Sequence, residues 1–115
     1  MVTYEWSVSY EPASDLFRVL ADPTRRSLFE RLARDGELSV AALTAQAGVS
    51  QPAVSQHLAA LKSAGLVGEQ RAGRNVLYRA ETAALKPLID WVGHYAVFWR
   101  DRLDALEQTL KDMDE

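Results

Sequence analysis

The side chains best suited to contact another molecule are polar groups at the start of a predicted helix over residues 51–64. Gln51 and Gln56 carry amides that can pair bidentately with adenine, and Ser55 can donate or accept a hydrogen bond. Side chains near the N-terminus of such a helix can reach base edges in the major groove of DNA. The position of the three residues favours base contacts over the alternative, ordinary solvated side chains on a helix surface.

The ends of this helix are set by residues with known capping behaviour. Ser50 precedes it as an N-cap, Pro52 lies in the first turn, where its missing N–H costs little, and Gly65 ends it. A shorter helix over residues 40–47, capped by Ser39, comes before it. Two such helices joined by a tight turn predict a helix-turn-helix. The face of the second helix that should be buried carries its apolar residues at a helical period, Val54, Leu58 and Leu61.

A basic hairpin is predicted after the second helix. Residues 66–71 and 76–80 have strand composition and flank Ala72-Gly73-Arg74-Asn75, a sequence typical of a hairpin turn. A basic two-stranded wing beside a recognition helix can reach flanking phosphates or a minor groove. The cations of the predicted wing are Arg71, Arg74 and Arg79.

Two further helices are predicted before this unit. Ser14 is predicted to cap a helix over residues 15–20, and Asp22 to cap another that ends near residue 34. Arg25 and Arg26 stand in the first turn of the second of these, where the helix dipole disfavours cations by roughly 0.3–1 kcal/mol each. An acidic partner or a DNA phosphate is expected to offset that cost, and a solvated face is the alternative.

The charge is unevenly distributed along the 115 residues, whose net charge is −3. Residues 22–80 carry eight basic and five acidic side chains, a net of +3, whereas residues 81–115 carry four basic and eight acidic ones, a net of −4. The predicted reading unit, residues 40–79, has four basic residues and a single acid, Glu69. This distribution favours DNA over the alternative of a winged helix used for protein interaction.

The titratable side chains predict neither an enzyme nor a cofactor. The chain has no cysteine, which excludes disulfides and thiolate metal sites, and no nucleophile is paired with a base. His57 lies at the edge of the apolar stripe of the second helix, where packing or a backbone hydrogen bond is expected rather than base contact or catalysis. Asp90 and His94 share one face of the last helix, so a metal site of oxygen and nitrogen ligands stays an open alternative.

The last segment, roughly residues 86–112, repeats apolar side chains at steps of three and four. Trp91 and Phe98 widen this stripe until it covers most of the helix surface. A small domain cannot bury such a stripe alone, so the helix is predicted to pack on its own domain and on a partner at once. Lining of a small-molecule pocket is the alternative for the aromatic side chains.

The first ten residues have a different pattern, because apolar side chains alternate with polar ones from Val2 to Tyr10. This is the period of a half-buried strand, and a partly ordered tail is the alternative. The absence of a linker or repeat predicts a single domain, with an N-terminal extension (1–13), a DNA-binding core (14–80) and a C-terminal dimerisation helix (81–115). The expected fold is mainly α with a small β-hairpin, a winged helix-turn-helix whose wing is preceded by four helices. No signal peptide or apolar run of membrane-span length is recognisable, which favours a cytoplasmic protein without a membrane partner.

Three stretches together resemble the ArsR/SmtB-type bacterial repressors: LADPTRR at residues 20–26, QPAVSQHL at 51–58 and LKSAGLV at 61–67. With the Gly73-Arg74 wing and Tyr78, the resemblance covers most of residues 14 to 110. It implies a dimeric, cytoplasmic transcriptional regulator that binds an operator in double-stranded DNA, with terminal helices paired across a two-fold axis. The DNA-contacting candidates are Ser50, Gln51, Pro52, Ser55, Gln56, Lys62, Arg71, Arg74 and Asn75. The dimer-interface candidates are Leu16, Leu88, Trp91, Val92, Tyr95, Trp99 and Leu106.

The resemblance also bears on the signal that such a regulator senses. Members of the family that sense metal or arsenite carry thiolates in a Glu-Leu-Cys-Val-Cys stretch, and here Ser39 and Ala41 occupy the cysteine positions. The chain therefore resembles a subgroup without a cysteine metal site, and neither its inducer nor its operator sequence can be predicted.

Overall fold

A computed structural model describes residues 11–114, and the predicted alternating segment before them lies outside the described residues. Five α-helices, one short 3-10 helix and three strands make up this part of the chain. In chain order they are α1 (Glu11–Leu20), α2 (Pro23–Asp35), β1 (Leu38–Ser39), α3 (Val40–Ala45), α4 (Gln51–Ser63), β2 (Val67–Ala72), β3 (Asn75–Ala80), a 3-10 helix (Thr82–Leu85) and α5 (Lys86–Asp114).

Three of the predicted helix starts are confirmed by side-chain caps. The Asp22 carboxylate accepts hydrogen bonds from the backbone N–H groups of Thr24 and Arg25 at 2.9 and 3.0 Å. The Ser39 hydroxyl accepts from the N–H of Ala42 at 3.1 Å, and the Ser50 hydroxyl accepts from the N–H of Ala53 at 3.3 Å. Each cap satisfies N–H groups that have no partner within the helix, which fixes where the helix begins.

Two predicted helix boundaries before the wing are wrong by two residues or more, and the strand bounds and the other helix ends shift by one or two residues. Helix α1 begins at Glu11 rather than at residue 15, so Ser14 lies inside the helix and is not its cap. Pro12 falls in the first turn, where proline is tolerated, and burial of Ala13 and Leu16 stabilises the added turn. Helix α3 ends at Ala45 rather than at residue 47, because the chain turns before it reaches the left-handed Gly48, with φ of +73°.

The predicted wing is present, and a third strand joins it. The antiparallel sheet has the order β1-β3-β2, with Leu38 opposite Tyr78 and Val67 opposite Ala80. Strand β1 was not predicted from the sequence, since two residues between a helix end and a helix cap show no period. Gly73 takes a φ of +64° in the two-residue connection from β2 to β3, a conformation that suits the first central residue of a type II′ turn.

The core lies between α1, α2, α3, α4 and the base of the wing. Leu43, Val54, Leu58, Leu61 and Leu66 are 0% exposed. The predicted buried faces of α4 and α2 are confirmed by the burial of their apolar residues, Val54, Leu58 and Leu61 in α4 and Leu28, Phe29 and Leu32 in α2. Because the apolar side of α4 packs in the core, its polar side is exposed and available for other contacts.

Helix α5 begins on the domain and continues beyond it. Near its start the ring of Trp91 meets Phe17 of α1 edge to face at 5.2 Å, and it also contacts Tyr95 at 5.2 Å. Residues 100–114 are all exposed, so the second half of the helix has no packing partner among residues 11–114. None of the described helices is both long and apolar enough to cross a membrane.

Candidate nucleic-acid interface

The first turns of α4 expose the polar side chains that the sequence assigns to base contacts. Gln51, Pro52, Ser55 and Gln56 are exposed, while the apolar side of the same helix is buried. The Ser50 hydroxyl oxygen is used as the helix cap, which leaves its hydrogen available to an outside acceptor. A rigid, capped helix that presents amide and hydroxyl groups at its N-terminal end has the geometry needed to read base edges.

Arg31 of α2 holds α3, the first helix of the helix-turn-helix, in place. Nη1 of Arg31 donates to the carbonyl oxygens of Ala42 and Leu43 in α3, at 3.0 and 3.3 Å. The role of Arg31 was missed from the sequence, although its spacing of three residues from buried Leu28 puts it at the border of the core face. The contact satisfies carbonyl groups near the C-terminal end of α3 and so fixes α3 against α2.

Arg25 and Arg26 bind the end of α1 as well as acidic side chains of the kind expected. Nη1 of Arg25 and Nη1 of Arg26 donate to the carbonyls of Val19 and Leu20 at the end of α1, at 3.4 and 2.8 Å. Nε of Arg26 also lies 3.9 Å from Glu30 at an exposed site, and the charge of Arg25 helps to lower the pKa of the Asp22 carboxyl. The carbonyl groups at the C-terminal end of α1 therefore offset the cost of two cations in the first turn of α2.

The wing presents two cations that have no ion pair within residues 11–114. Arg71 and Arg74 are exposed, as is the neighbouring Asn75. Arg79 differs, because its Nε lies 2.8 Å from the carboxylate of Glu81. The predicted basic wing is therefore reduced to Arg71 and Arg74 as cations available for phosphate groups.

Lys62, one of the DNA-contacting candidates, has a partner within the protein. Its Nζ donates to Oε1 of Glu69 in β2 at 2.5 Å. The pKa of the Glu69 carboxyl is lowered, first by the hydrogen bond from Lys62 and then by one from the Tyr78 hydroxyl. The pKa of Lys62 is raised by the same carboxylate, whereas the pKa of Tyr78 is raised first by burial and then by its hydrogen bond to Glu69. We call these three residues the Lys62–Glu69–Tyr78 network.

The dimer-interface candidates fall into three groups in the structure. Leu16 is 5% exposed and packs in the core of the protomer. Leu88, Trp91 and Tyr95 are half-buried against their own domain. The remaining candidates have more than half of their surface exposed, Val92 (53%), Trp99 (58%) and Leu106 (54%). An open apolar groove of about 450 Å³ runs along the first half of α5, lined by Trp91, Val92, Tyr95, Ala96 and Trp99.

The residues considered for a metal site do not assemble one. Among the described residues, no group of three or more His, Asp or Glu side chains is placed to hold a metal ion. Oδ2 of Asp90 lies 2.9 Å from Nζ of Lys86 in a helical ion pair. Ser39, at one of the thiolate positions of the resembled family, caps α3 instead.

Comparison with known proteins agrees with this geometry. Residues 20–69 match the family described as a helix-turn-helix domain, a stretch that runs from the end of α1 into β2. The HTH-type transcriptional regulator Rv2034 of Mycobacterium tuberculosis is 42% identical over 80 residues, which cover 70% of this chain and 74% of that protein. The ArsR-like transcriptional regulator of Rhodococcus sp. RHA1 superposes with a TM-score of 0.68 at 32% identity, covering 87% of this chain and 93% of that one.

The chain belongs to the ArsR/SmtB family. Two further proteins are similar to this chain. The arsenic resistance transcriptional regulator ArsR1 of Pseudomonas putida is 45% identical over 64 residues, which cover 56% of this chain and half the length of ArsR1. The homodimeric winged helix-turn-helix DNA-binding domain of Mb0332 from Mycobacterium bovis superposes with a TM-score of 0.61 at 29% identity, covering 78% and 85% of the two chains.

Membership in the ArsR/SmtB family gives the winged helix-turn-helix its role. The protein is a DNA-binding transcriptional regulator and not an enzyme. This agrees with the exposed polar start of α4 and with the two available arginines of the wing.

Proposed function

We propose that the protein is a homodimeric repressor that binds an imperfect palindrome in double-stranded DNA. The proposal rests on the two sides of α4. Its apolar side chains are fully buried, and the polar side chains of its first turns are exposed. In this assignment α4 enters the major groove and its N-terminal residues supply base and phosphate contacts. They are Ser50, Gln51, Pro52, Ser55 and Gln56.

We assign a different role to the wing. Arg71 and Arg74 are long, exposed cations without an ion pair in the described part of the chain, and Asn75 adds an exposed amide beside them. Cations at the tip of a hairpin suit phosphate or minor-groove contacts, which position a protein on DNA more than they select a sequence. Lys62 is left out of this set because Glu69 already binds its ammonium group.

The homodimer is supported by the exposed apolar side of α5. Val92, Trp99 and Leu106 are spaced by seven residues, so they lie on nearly one face of the helix, and each is more than half exposed. Leu110 and Leu103 extend the exposed apolar surface toward the end of the helix. A second copy of α5 would cover these groups and would place two copies of α4 for two half-sites. The homodimeric state of the Mb0332 domain is consistent with this assignment.

Repression, rather than activation, follows from the likeness to the ArsR/SmtB-type repressors. The expected location is the cytoplasm, because that is where the operator DNA of such a regulator lies. The signal is proposed to be other than a soft metal ion, since Ser39 and Ala41 stand where thiolates would be needed.

The test is selection of bound duplexes from a random-sequence DNA pool by the purified protein. We expect enrichment of an imperfect palindrome whose half-site centres are about 10 bp apart or a multiple of that spacing. Footprinting on the selected sequence should then show protection on one side of the duplex at both half-sites. Failure to enrich any sequence, combined with specific capture of a protein, would support the alternative role in protein interaction instead.

A further inference from the structure

We propose that Glu69 limits the sequence-independent affinity of this regulator for DNA by keeping the Lys62 ammonium group bound within the protein and away from DNA phosphates. The inference rests on the proposed DNA-binding function and adds a residue that acts against non-specific binding. The structural basis is the Lys62–Glu69–Tyr78 network at the junction between α4 and the wing.

Glu69 lies between the recognition helix and the wing. Lys62 lies in the last turn of α4 and Glu69 in β2, and their side chains meet at 2.5 Å although 52% and 37% of their surfaces are exposed. Tyr78 stands directly opposite Glu69 in the register of β2 and β3, where its hydroxyl helps to lower the pKa of the Glu69 carboxyl. The carboxylate is therefore held from the recognition helix and from the wing at once.

The position of the network makes its charge matter for DNA. Lys62 is on the same helix as Gln51, about 16 Å further along its axis. Glu69 is the single acid between residues 40 and 79, where the proposed contacts lie. A carboxylate at this place neutralises the lysine and also repels phosphate groups.

Pairing of Lys62 with Glu69 should therefore lower the affinity of the protein for every DNA sequence. A lysine that meets a phosphate adds sequence-independent affinity, which strengthens random and cognate binding alike. With the Lys62–Glu69 pair intact this sequence-independent term is smaller, so less of the protein is held on the many random sites that compete with the operator. The directions of the pKa shifts agree with a persistent pair, because the Glu69 carboxyl is easier to ionise and Lys62 harder to deprotonate than usual.

The experiment compares the full chain with its Glu69→Gln variant on a random-sequence duplex over a series of salt concentrations. The glutamine side chain is uncharged and cannot form an ion pair with the ammonium group, so Lys62 becomes free to reach a phosphate. At about 0.1 M salt the variant should bind random DNA roughly five- to tenfold more tightly. Its plot of log affinity against log salt should be steeper by about one unit.

A second variant tests the same idea from the other side. Lys62→Gln by itself leaves the Glu69 carboxylate unpaired and should weaken binding to random DNA modestly, because the carboxylate then repels phosphates. The double variant Lys62→Gln/Glu69→Gln keeps the pair neutral, so it should lose the gain of Glu69→Gln and bind random DNA within about twofold of the unmodified chain. Glu107→Gln is the matched charge control, since it removes one acid from the exposed part of α5. It should change neither the affinity nor the salt slope by a comparable amount.

Several results would overturn the proposal. One is unchanged random-DNA binding by Glu69→Gln in a variant whose thermal unfolding matches that of the parent. Another is a loss of about one unit of salt slope in the double variant Lys62→Gln/Glu69→Gln relative to the unmodified chain, which would mean that Lys62 already contacts phosphate. A selective loss of preference at one base pair in Glu69→Gln would instead assign Glu69 to reading a cytosine amino group. If the unmodified chain bound no DNA at all, the proposed function would fail rather than this inference.

Discussion

Nε of Arg25 donates to Nδ1 of His57 at 3.4 Å, so the first turn of α2 is bonded to the middle of the recognition helix. The same guanidinium reaches the carbonyl oxygen of Val19 at the end of α1, the helix that packs on α5. One side chain thus links α1, on which the proposed dimerisation helix α5 packs, with the helix proposed to read DNA. The half-buried position of His57 agrees with the expected packing, whereas its hydrogen bond is to the Arg25 side chain rather than to a backbone group.

The Arg25–His57 contact should contribute measurably to stability. Arg25→Gln and His57→Ala should each lower the free energy of unfolding by about 0.5–1.5 kcal/mol, the usual range for a hydrogen bond of this kind. Urea unfolding of both variants and of the double variant measures their coupling, which should be about 0.5 kcal/mol. His57→Asn serves as the control, because it keeps an acceptor near the position of Nδ1 and should lose less stability. Strict additivity of the two changes would contradict the contact.

Stability should fall in acid through the cap of α2. The pKa of Asp22 is lowered, mainly by the backbone N–H of Arg25, although desolvation acts in the opposite direction. A lowered folded-state pKa means that the charged cap stabilises the protein above about pH 4 and loses that effect as the pH falls through the folded-state value. Asp22→Asn keeps the acceptor without the charge, so its disadvantage against the parent chain should shrink at low pH. Urea midpoints between neutral and acidic pH give this difference, and a gap that widened in acid would refute the assignment.

Base contacts and phosphate contacts should respond differently to substitution. Gln51→Ala or Gln56→Ala should cost roughly 1–3 kcal/mol on the selected operator and relax its preference at one position. Arg74→Ala should weaken binding to all sequences and reduce the salt slope by about one unit. Titrations of operator and random duplexes distinguish these effects. If both kinds of variant lost specific and random binding equally, the proposed division between α4 and the wing would be wrong.

Trp99→Asp should separate the proposed dimer and abolish operator binding together. The substitution places a carboxylate on the exposed apolar face of α5, where pairing with a second copy would bury it. Light scattering at micromolar concentration gives the oligomeric state, and Gln108→Asp, at an exposed polar position of the same helix, should leave it dimeric. An unmodified chain that was a stable monomer and still bound its operator fully would overturn the dimer.

Zinc, cadmium and arsenite at low micromolar concentration should not release the protein from its operator. Soft ions need thiolates or several imidazoles, and the chain has no cysteine and two histidines. The measurement is a titration of chelator-treated protein bound to its operator. Stoichiometric zinc that released the DNA, with the effect lost in His94→Ala, would restore the metal site at Asp90 and His94.

Capping and periodicity were sufficient to predict the elements that depend on neighbours within a few residues. The starts of α2, α3 and α4 at Asp22, Ser39 and Ser50 follow from single polar side chains that satisfy N–H groups of the next turn. The buried side of α4 follows from a 3.6-residue period. Local residues therefore determined the order of elements and the exposure of Gln51 and Gln56.

Contacts between residues distant in the chain were decided by the tertiary structure. Strand β1 forms because Leu38 pairs with Tyr78, forty residues later in the chain. A strand of two residues is too short for a periodic pattern to predict it. Leu16 became part of the core, and Lys62 became a partner of Glu69, when the packing of whole helices and the wing brought them together. A side chain's type and spacing determine which face of its element it occupies. Whether that face meets solvent, core or an opposite charge depends on the docking of elements through long-range burial, which no short window of sequence contains.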